Sequence, residues 1–220
     1  TAQVRMMFHG EFPMDRPDGQ YTIFGRSEDV LTLTAFYPLL AGRRGDEWAI
    51  DAPHPQGDVG FHPASLYRVT MTVPEGQTIV ATGTEITRTI DAGGWTTALY
   101  AIGPAREFTV LLSPTLRVME GETLGTRVQS FYKAADFEAA QKALYDGMAA
   151  LQVYSDKFGP YPYKSMEIVQ APLMYHGMEF PGVNLIGSQV YDKYQQDLEN
   201  LVVHEIAHQW WYNQVGSDQV

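Results

Sequence analysis

The 220-residue chain has 15 Lys and Arg residues against 26 Asp and Glu residues, a formal net charge of −11, and no cysteine. Nucleic acids and anionic membranes are bound by clustered cations, so this acidic chain without a basic block is expected to bind neither. The lack of cysteine excludes disulfides and thiolate ligands, so a metal site would need His, Asp or Glu. No run approaches the roughly 18 apolar residues of a membrane span, and the composition suits either a cytoplasmic or an exported soluble protein.

Short β-type runs fill the first half of the chain. Residues 31–37, 65–73 and 97–102 are rich in β-branched and aromatic side chains and are separated by proline and glycine. Residues 73–76 and 91–94 have the turn chemistry of hairpins. The sequence therefore predicts an N-terminal antiparallel β-sheet domain of the sandwich type.

A long irregular segment, residues 38–63, interrupts these runs and is predicted to be a surface excursion. It contains His54 and His62, which could form a second metal site. No carboxylate stands at helical spacing beside them, so solvated loop histidines are the favoured interpretation. The same interpretation applies to His9.

The pattern changes after Pro114. A strand pair is predicted over residues 115–119 and 126–132, followed by a helix over 136–158 whose apolar residues keep helical spacing. Asp136 is the expected N-cap of this helix, and Gly159 with the following proline is expected to end it.

Two short strands and a second helix complete the predicted order. The strands cover residues 165–170 and 182–187, with residues 174–181 between or along them, and the helix covers 192–215. Three apolar residues at helical spacing would hold this helix on a core: Leu198, Leu201 and Val202.

The second helix contains the motif HExxH at residues 204–208. His204 and His208 lie one helical turn apart on the same face, so both imidazoles can bind one Zn²⁺, while Glu205 faces the open position of the metal. Zinc would acidify a water molecule and Glu205 would accept its proton, which is the chemistry of peptide hydrolysis. Either histidine alone could instead be a core residue bonded to a backbone carbonyl. Unpaired imidazoles in so apolar a helix are costly, which favours ligands.

With the upstream segment 175–182, Tyr-His-Gly-Met-Glu-Phe-Pro-Gly, this motif resembles the gluzincin zinc aminopeptidases of the aminopeptidase N type, in which a GAMEN-like segment precedes HExxH. The resemblance implies that Glu179 binds the free α-amine of a peptide substrate. It also implies that the backbone at Gly177 and Met178 lines the substrate as an added strand. In the same family the residues at His204 and His208 bind zinc, and the residue at Glu205 is the general base.

The chain departs from the family pattern in several places. His176 replaces the first Gly of GAMEN and Phe180 replaces its Asn, so the side-chain preference is not indicated. No Thr-Gln-x-Glu segment occurs in the β domain to supply a second amine-binding group. Amine recognition would therefore depend on Glu179.

The resemblance also implies that the working enzyme is longer. The family's third zinc ligand, a glutamate, and its oxyanion-stabilising tyrosine are expected after Val220, since only twelve residues follow His208. We expect an α+β chain with two parts. Residues 1–106 would form a saddle-like β domain without its first strands, and residues 107–220 the first part of a thermolysin-like catalytic domain. Alone, these 220 residues are expected to have little activity.

Three functions follow as alternatives. The preferred one is a zinc metalloaminopeptidase, a hydrolase that removes N-terminal residues from peptides. A thermolysin-like endopeptidase would share HExxH but would not need an amine-binding group. A non-catalytic interaction module could have inherited the fold. The sequence does not indicate the biological substrate or the oligomeric state.

Overall fold

The computed structural model describes residues 3–14, 23–48, 50, 62–173 and 176–216. The predicted α+β class is confirmed, since several antiparallel sheets combine with α-helices. No helix in the described ranges is both long and apolar enough to span a lipid bilayer. Two residues singled out in the sequence, His54 and Tyr175, lie outside the described residues.

The first part of the chain forms antiparallel sheets. Its strands are β1 (Phe24–Ser27), β2 (Val30–Leu33), β3 (Arg43–Arg44), β4 (Glu47–Trp48), β5 (Ser65–Pro74), β6 (Thr78–Ala81), β7 (Thr84–Ile90), β8 (Trp95–Ala105) and β9 (Val110–Ser113). A four-stranded sheet has the order β1-β2-β9-β6, a three-stranded sheet has the order β5-β8-β7, and β3 pairs with β4. Side chains from both larger sheets, among them Val73, Ile79 and Tyr100, share one hydrophobic cluster, so these sheets pack on each other.

Turn chemistry predicted one hairpin correctly and one wrongly. Residues 91–94 join the paired strands β7 and β8, and the Asp91 carboxylate accepts hydrogen bonds from the Gly93 and Trp95 amides at 2.8 and 3.1 Å. Residues 73–76 instead carry the chain between two sheets, because β5 and β6 pair with different partners. The predicted strand 31–37 is also too long. β2 ends at Leu33, and Ala35 adopts a φ of +50°, which an extended strand cannot contain.

The second part of the chain is a mixed sheet with helices. Its elements are β10 (Arg117–Thr123), β11 (Thr126–Tyr132), α1 (Phe137–Phe158), β12 (Ser165–Ala171), β13 (Gly177–Phe180), β14 (Val183–Gly187), α2 (Ser188–Asp192) and α3 (Leu198–Ala207). The five strands have the order β10-β11-β12-β14-β13. β11, β12 and β14 run parallel, whereas β10 and β13 are antiparallel edge strands. Every residue of β12 is buried, as expected for a parallel strand covered on both faces.

The two faces of this sheet pack against different partners. Ile168 faces the cluster that contains Leu151 of α1 and Ile206 of α3. Its neighbour Val169 faces the opposite way, into a cluster that contains Leu111 of β9. The four-stranded sheet and the helices therefore sandwich the mixed sheet. The predicted domain boundary between residues 106 and 107 stays a prediction, and β9, which follows it, is bonded to β2 and β6.

The first predicted helix is correct in extent. α1 ends at Phe158, and Gly159 follows with a φ of +106°, a conformation that glycine adopts without strain. Asp136 occupies the N-cap position but makes no capping hydrogen bond. Its Oδ2 accepts a 2.7 Å bond from Gln170 Nε2 instead, which ties the start of α1 to β12.

The second predicted helix, 192–215, is wrong in extent. α2 ends at Asp192, where the predicted helix begins; a 3₁₀ turn follows at Gln195–Asp197, and α3 covers only Leu198–Ala207. Beyond Ala207 the amides of Gln209 and Trp210 bond to the third residue before each, which tightens the chain out of the α-helix. His208 is consequently the first residue after α3. Leu198 and Val202 are buried and Leu201 packs against the same cluster, as predicted.

Candidate metal and substrate site

The predicted site residues come together where α3 packs beside β13. Residues of a strand point alternately to its two faces. Met178 and Phe180 point into the cluster between the sheets. Gly177 and Glu179 point the other way, toward the end of α3. The alternation thus places Gly177, which has no side chain, and the Glu179 carboxylate beside the HExxH motif.

The two histidines face each other across one helical turn. Their Nε2 atoms are 3.2 Å apart. His208 Nδ1 lies 3.1 Å from the Trp211 carbonyl oxygen, which can only accept a hydrogen bond. The proton of a neutral His208 ring therefore belongs on Nδ1, and its Nε2 lone pair is directed toward His204.

This arrangement fits a zinc ion. Two nitrogens at about 2.0–2.1 Å from a tetrahedral zinc are about 3.3 Å apart, close to the 3.2 Å between these Nε2 atoms. Zinc-bound histidines commonly donate their second ring N–H to a backbone carbonyl, as His208 does to Trp211. His204 and His208 would therefore hold zinc through Nε2.

Glu205 is buried beneath the strand, although it lies next to an exposed histidine. Only 4% of its surface is exposed. A Cβ at Gly177 would lie 2.1 Å from Glu205 Oε1, so no larger residue fits at position 177 without displacing the carboxyl group. Burial, followed by the charge of Glu179 and a hydrogen bond to it, raises the pKa of Glu205 to about 8. A nearby cation would oppose this rise.

Glu179 belongs to a second group of residues that could bind a metal ion, and this group is not the histidine pair. Ligand atoms of Glu179, Glu205 and His208 lie within 4.8 Å of one another, and Glu179 Oε1 is 3.7 Å from His208 Nδ1. This trio could bind a cation itself. We favour the two imidazoles as the zinc ligands, because the 3.2 Å between their Nε2 atoms suits zinc and the His208 Nδ1 of the trio already contacts the Trp211 carbonyl.

Gln209 supports the site and was not singled out from the sequence. It is fully buried. Its Oε1 accepts a 2.9 Å bond from the Gly182 amide, and its Nε2 donates to the Phe180 carbonyl at 3.1 Å and to Asn184 Oδ1 at 3.0 Å. Asn184 in turn donates to the Glu167 carbonyl. The residue after His208 is thereby tied to the hairpin that carries Glu179.

Asn213 makes a second connection between the same segments. Its Nδ2 donates to the Glu179 carbonyl at 3.0 Å and to the His208 carbonyl at 3.2 Å. Polar amides within the apolar sequence after His208 are the signal that could have identified both Gln209 and Asn213 as supports of the site.

The site opens toward a cavity at its His204 end. The cavity has a volume of about 400 Å³ and is lined by Val190, Tyr194, Asp197, Asn200, Leu201 and His204. His204 is exposed at its margin. The site therefore has a closed side toward β13 and an open side toward this cavity.

The remaining predicted histidines differ in their surroundings. His9 is exposed, as predicted. The prediction that His62 is solvated is wrong, because its side chain is only 21% exposed and its Nδ1 lies 4.0 Å from Glu107 Oε2. Burial lowers the pKa of His62. Long-range packing of the loop end against Glu107 explains the difference.

The sequence matches no known protein-family model and no curated protein. The family resemblance therefore depends on the two sequence motifs and stays a hypothesis.

Proposed function

We propose that the chain carries the metal-binding and amine-binding groups of a zinc metalloaminopeptidase, which hydrolyses N-terminal residues from peptides. One observation carries the proposal. The strand residue Glu179 presents a carboxylate 3.7 Å from His208 Nδ1 and within 4.8 Å of the Glu205 carboxyl group. An HExxH motif needs no such carboxylate for hydrolysis itself, but a peptidase specific for free N-termini needs an anion for the α-ammonium group.

The residues of the motif divide the chemistry between them. His204 and His208 would hold the metal through Nε2. Zinc bound there would supply Lewis acidity toward water and the scissile carbonyl. Glu205 accepts a proton from the attacking water and returns it to the leaving amine. Gly177 leaves the space that the Glu205 carboxyl group occupies.

The edge strand β13 would bind the substrate backbone. It pairs with β14 and stands last in the sheet order β10-β11-β12-β14-β13. A peptide bound beside it would lie along Gly177 and Met178, the residues whose backbone the resemblance assigns to the substrate. Its ammonium group would reach Glu179, so the length of substrate on the N-terminal side would be limited to one residue.

Acetylation of the substrate tests the amine specificity. The rates of hydrolysis of a peptide amide with a free N-terminus and of its N-acetylated form are compared in the presence of added zinc. The comparison is made on these 220 residues and on a chain extended past Val220, where the resemblance places a third ligand. Loss of a charge-assisted hydrogen bond is expected to lower kcat/KM by about 10- to 100-fold. Equal cleavage of both peptides would support the endopeptidase alternative instead. Glu179→Gln should reduce the difference between the two peptides.

The role of Glu205 is tested by Glu205→Gln. The variant keeps the shape of the side chain but cannot accept the proton of water, so kcat is expected to fall by about 10² to 10⁴-fold. Zinc content, measured by metal analysis after dialysis, should remain at the wild-type value. Full activity in the variant would rule out Glu205 as the base. An extended chain that retains no zinc would support the interaction-module alternative.

A further inference from the structure

The turn after α3 contains a tyrosine in an unusual backbone conformation. Tyr212 has a φ of +103°, a region that bulky side chains rarely adopt. Its amide donates to the Val215 carbonyl at 2.9 Å, and the next amide, from Asn213, donates to the His208 carbonyl at 3.1 Å. A tyrosine keeps such a conformation only where its surroundings impose it.

Two buried charged residues from the start of the β8–β9 connection supply those surroundings. Arg106 and Glu107 are each only 8% exposed. Arg106 Nε donates to the Tyr212 carbonyl at 2.6 Å, and Glu107 Oε1 accepts a 3.1 Å bond from the Tyr212 hydroxyl. A Cβ at Gly216 would lie 2.2 Å from Arg106 Nη2, so the end of the turn closes over the guanidinium group. Tyr212 is thus held at both its backbone and its ring.

The held turn connects directly to the candidate site. Asn213 follows Tyr212, and its side-chain amide joins the Glu179 and His208 carbonyls. The conformation of Tyr212 determines where this amide lies. Contacts therefore run from Arg106 and Glu107 through Tyr212 and Asn213 to the amine-binding residue and one zinc ligand.

We infer that Arg106 and Glu107 are positioning residues of the site. They hold Tyr212 so that Asn213 sets the separation between Glu179 and His208. The inference rests on the proposed function for its consequence, which is that these two residues tune zinc binding and amine recognition from the β8–β9 connection.

General attachment of the two parts of the chain does not explain this cluster. The same parts are joined by the Tyr163 hydroxyl, which donates to the Pro104 carbonyl at 2.8 Å, and by the apolar cluster that includes Leu111 and Val169. Burying a carboxylate and a guanidinium is costly unless both are well bonded, so a purely adhesive contact would favour apolar residues. The cluster instead directs one hydrogen bond from each charged side chain to the turn, in addition to the bond that Arg106 Nη1 donates to the His62 carbonyl at 3.1 Å.

Tyr212→Phe tests the inference, with Tyr163→Phe as its matched control. Each variant removes one tyrosine hydroxyl bond between the same two parts of the chain, but only Tyr212 contacts the turn. We expect Tyr212→Phe to raise the zinc dissociation constant about tenfold, the effect of one hydrogen bond to a charged group. Tyr163→Phe should leave it unchanged. Competition with a chromophoric chelator measures both values.

A second measurement uses the metal-free chain and does not depend on zinc or on activity. Nitrogen-15 spectra at about pH 8, where an ordinary imidazole is neutral, report which ring nitrogen of His208 is protonated. The wild type and Tyr163→Phe should show the Nδ1–H form that the Trp211 carbonyl selects. Tyr212→Phe should show a mixture with the Nε2–H form, and Glu107→Gln, which keeps a weaker acceptor, should lie between.

These measurements separate the two proposals. A wild-type chain, extended past Val220, that binds no zinc would contradict the proposed function, while the His208 spectra would still decide the positioning role. Unchanged spectra in Tyr212→Phe would overturn the inference. Equal changes in Tyr212→Phe and Tyr163→Phe, in either measurement, would also overturn it, because they would show a general loss of stability.

Discussion

The two zinc-ligand candidates occupy opposite kinds of surroundings on one helix. His208 lies on the closed side, where its ring is bonded to Trp211 and its backbone carbonyl to Asn213. His204 lies on the open side, exposed beside the cavity of about 400 Å³. The comparison teaches that the two candidate ligands are supported unequally. The His208 ring contacts a backbone carbonyl of the turn as well as the other imidazole, whereas the His204 ring contacts His208 and borders the cavity.

We expect the largest difference between the closed side and the open side in the free energy of unfolding, when a side-chain amide is removed from each. Gln209→Leu would leave the Gly182 amide, the Phe180 carbonyl and Asn184 Oδ1 without this partner in the interior. At about 1–3 kcal/mol for each unsatisfied group, we expect the free energy of unfolding to fall by about 3–5 kcal/mol. Urea denaturation measures it. Asn200→Leu, the matched change at the open cavity, should stay within about 0.5 kcal/mol of the wild type. Equal losses in both variants would remove the distinction between the sides.

The closed side should also respond to pH through Glu167, whose carbonyl accepts the bond from Asn184. Burial raises the pKa of Glu167 from 4.5 to about 8 in the folded chain. The folded state therefore holds a proton that the unfolded state releases at lower pH. The stabilisation that depends on protonated Glu167 is fully present below about pH 4.5 and is lost as the pH rises toward about 8.

Glu167→Gln removes this titration. Between about pH 5 and pH 8, the unfolding free energy of the wild type should fall by a few kcal/mol relative to that of the variant. Denaturation curves at several pH values, compared between the two proteins, check this expectation. A constant difference across the range would show that Glu167 has the same pKa in the folded and unfolded states.

The smallest expected difference concerns the histidines themselves in the absence of zinc. His208→Ala removes the bond to the Trp211 carbonyl and should lower the unfolding free energy by about 1 kcal/mol. His204→Ala should leave it nearly unchanged, because an exposed helix position tolerates alanine. Both variants should lose zinc affinity. If His204→Ala were the more destabilising of the two, the open side would not be free of structural constraint.

The sequence predicted those features that depend on local periodicity. A short stretch of sequence contains all the residues whose spacing predicts such a feature. This holds for helix α1, for the hairpin at residues 91–94 and for the packing of Leu198 and Val202. The end of α3 at Ala207 could not be predicted in this way. No proline or glycine interrupts residues 192–215, and the helix ends where Gln209 and Asn213 bond to the β13–β14 hairpin.

The candidate site was predictable in its motifs but not in its supports. HExxH and Glu179 were identified from short sequence patterns, and the structure places the Glu179 carboxylate 3.7 Å from His208 Nδ1. The contact between Glu107 and Tyr212 joins residues 105 positions apart in the chain. Neither residue stands in a pattern that signals the other, so only the packed fold reveals the contact.

The apolar cluster between the four-stranded sheet and the mixed sheet has a thermodynamic consequence. Val30, Val80 and Leu111 from one sheet and Val169 and Leu185 from the other are all essentially inaccessible to water. Separating the sheets would expose both sets of side chains at once. Heat should therefore unfold the two sheets together, in one cooperative transition, so the candidate site should be lost at the same temperature as strands that lie far from it.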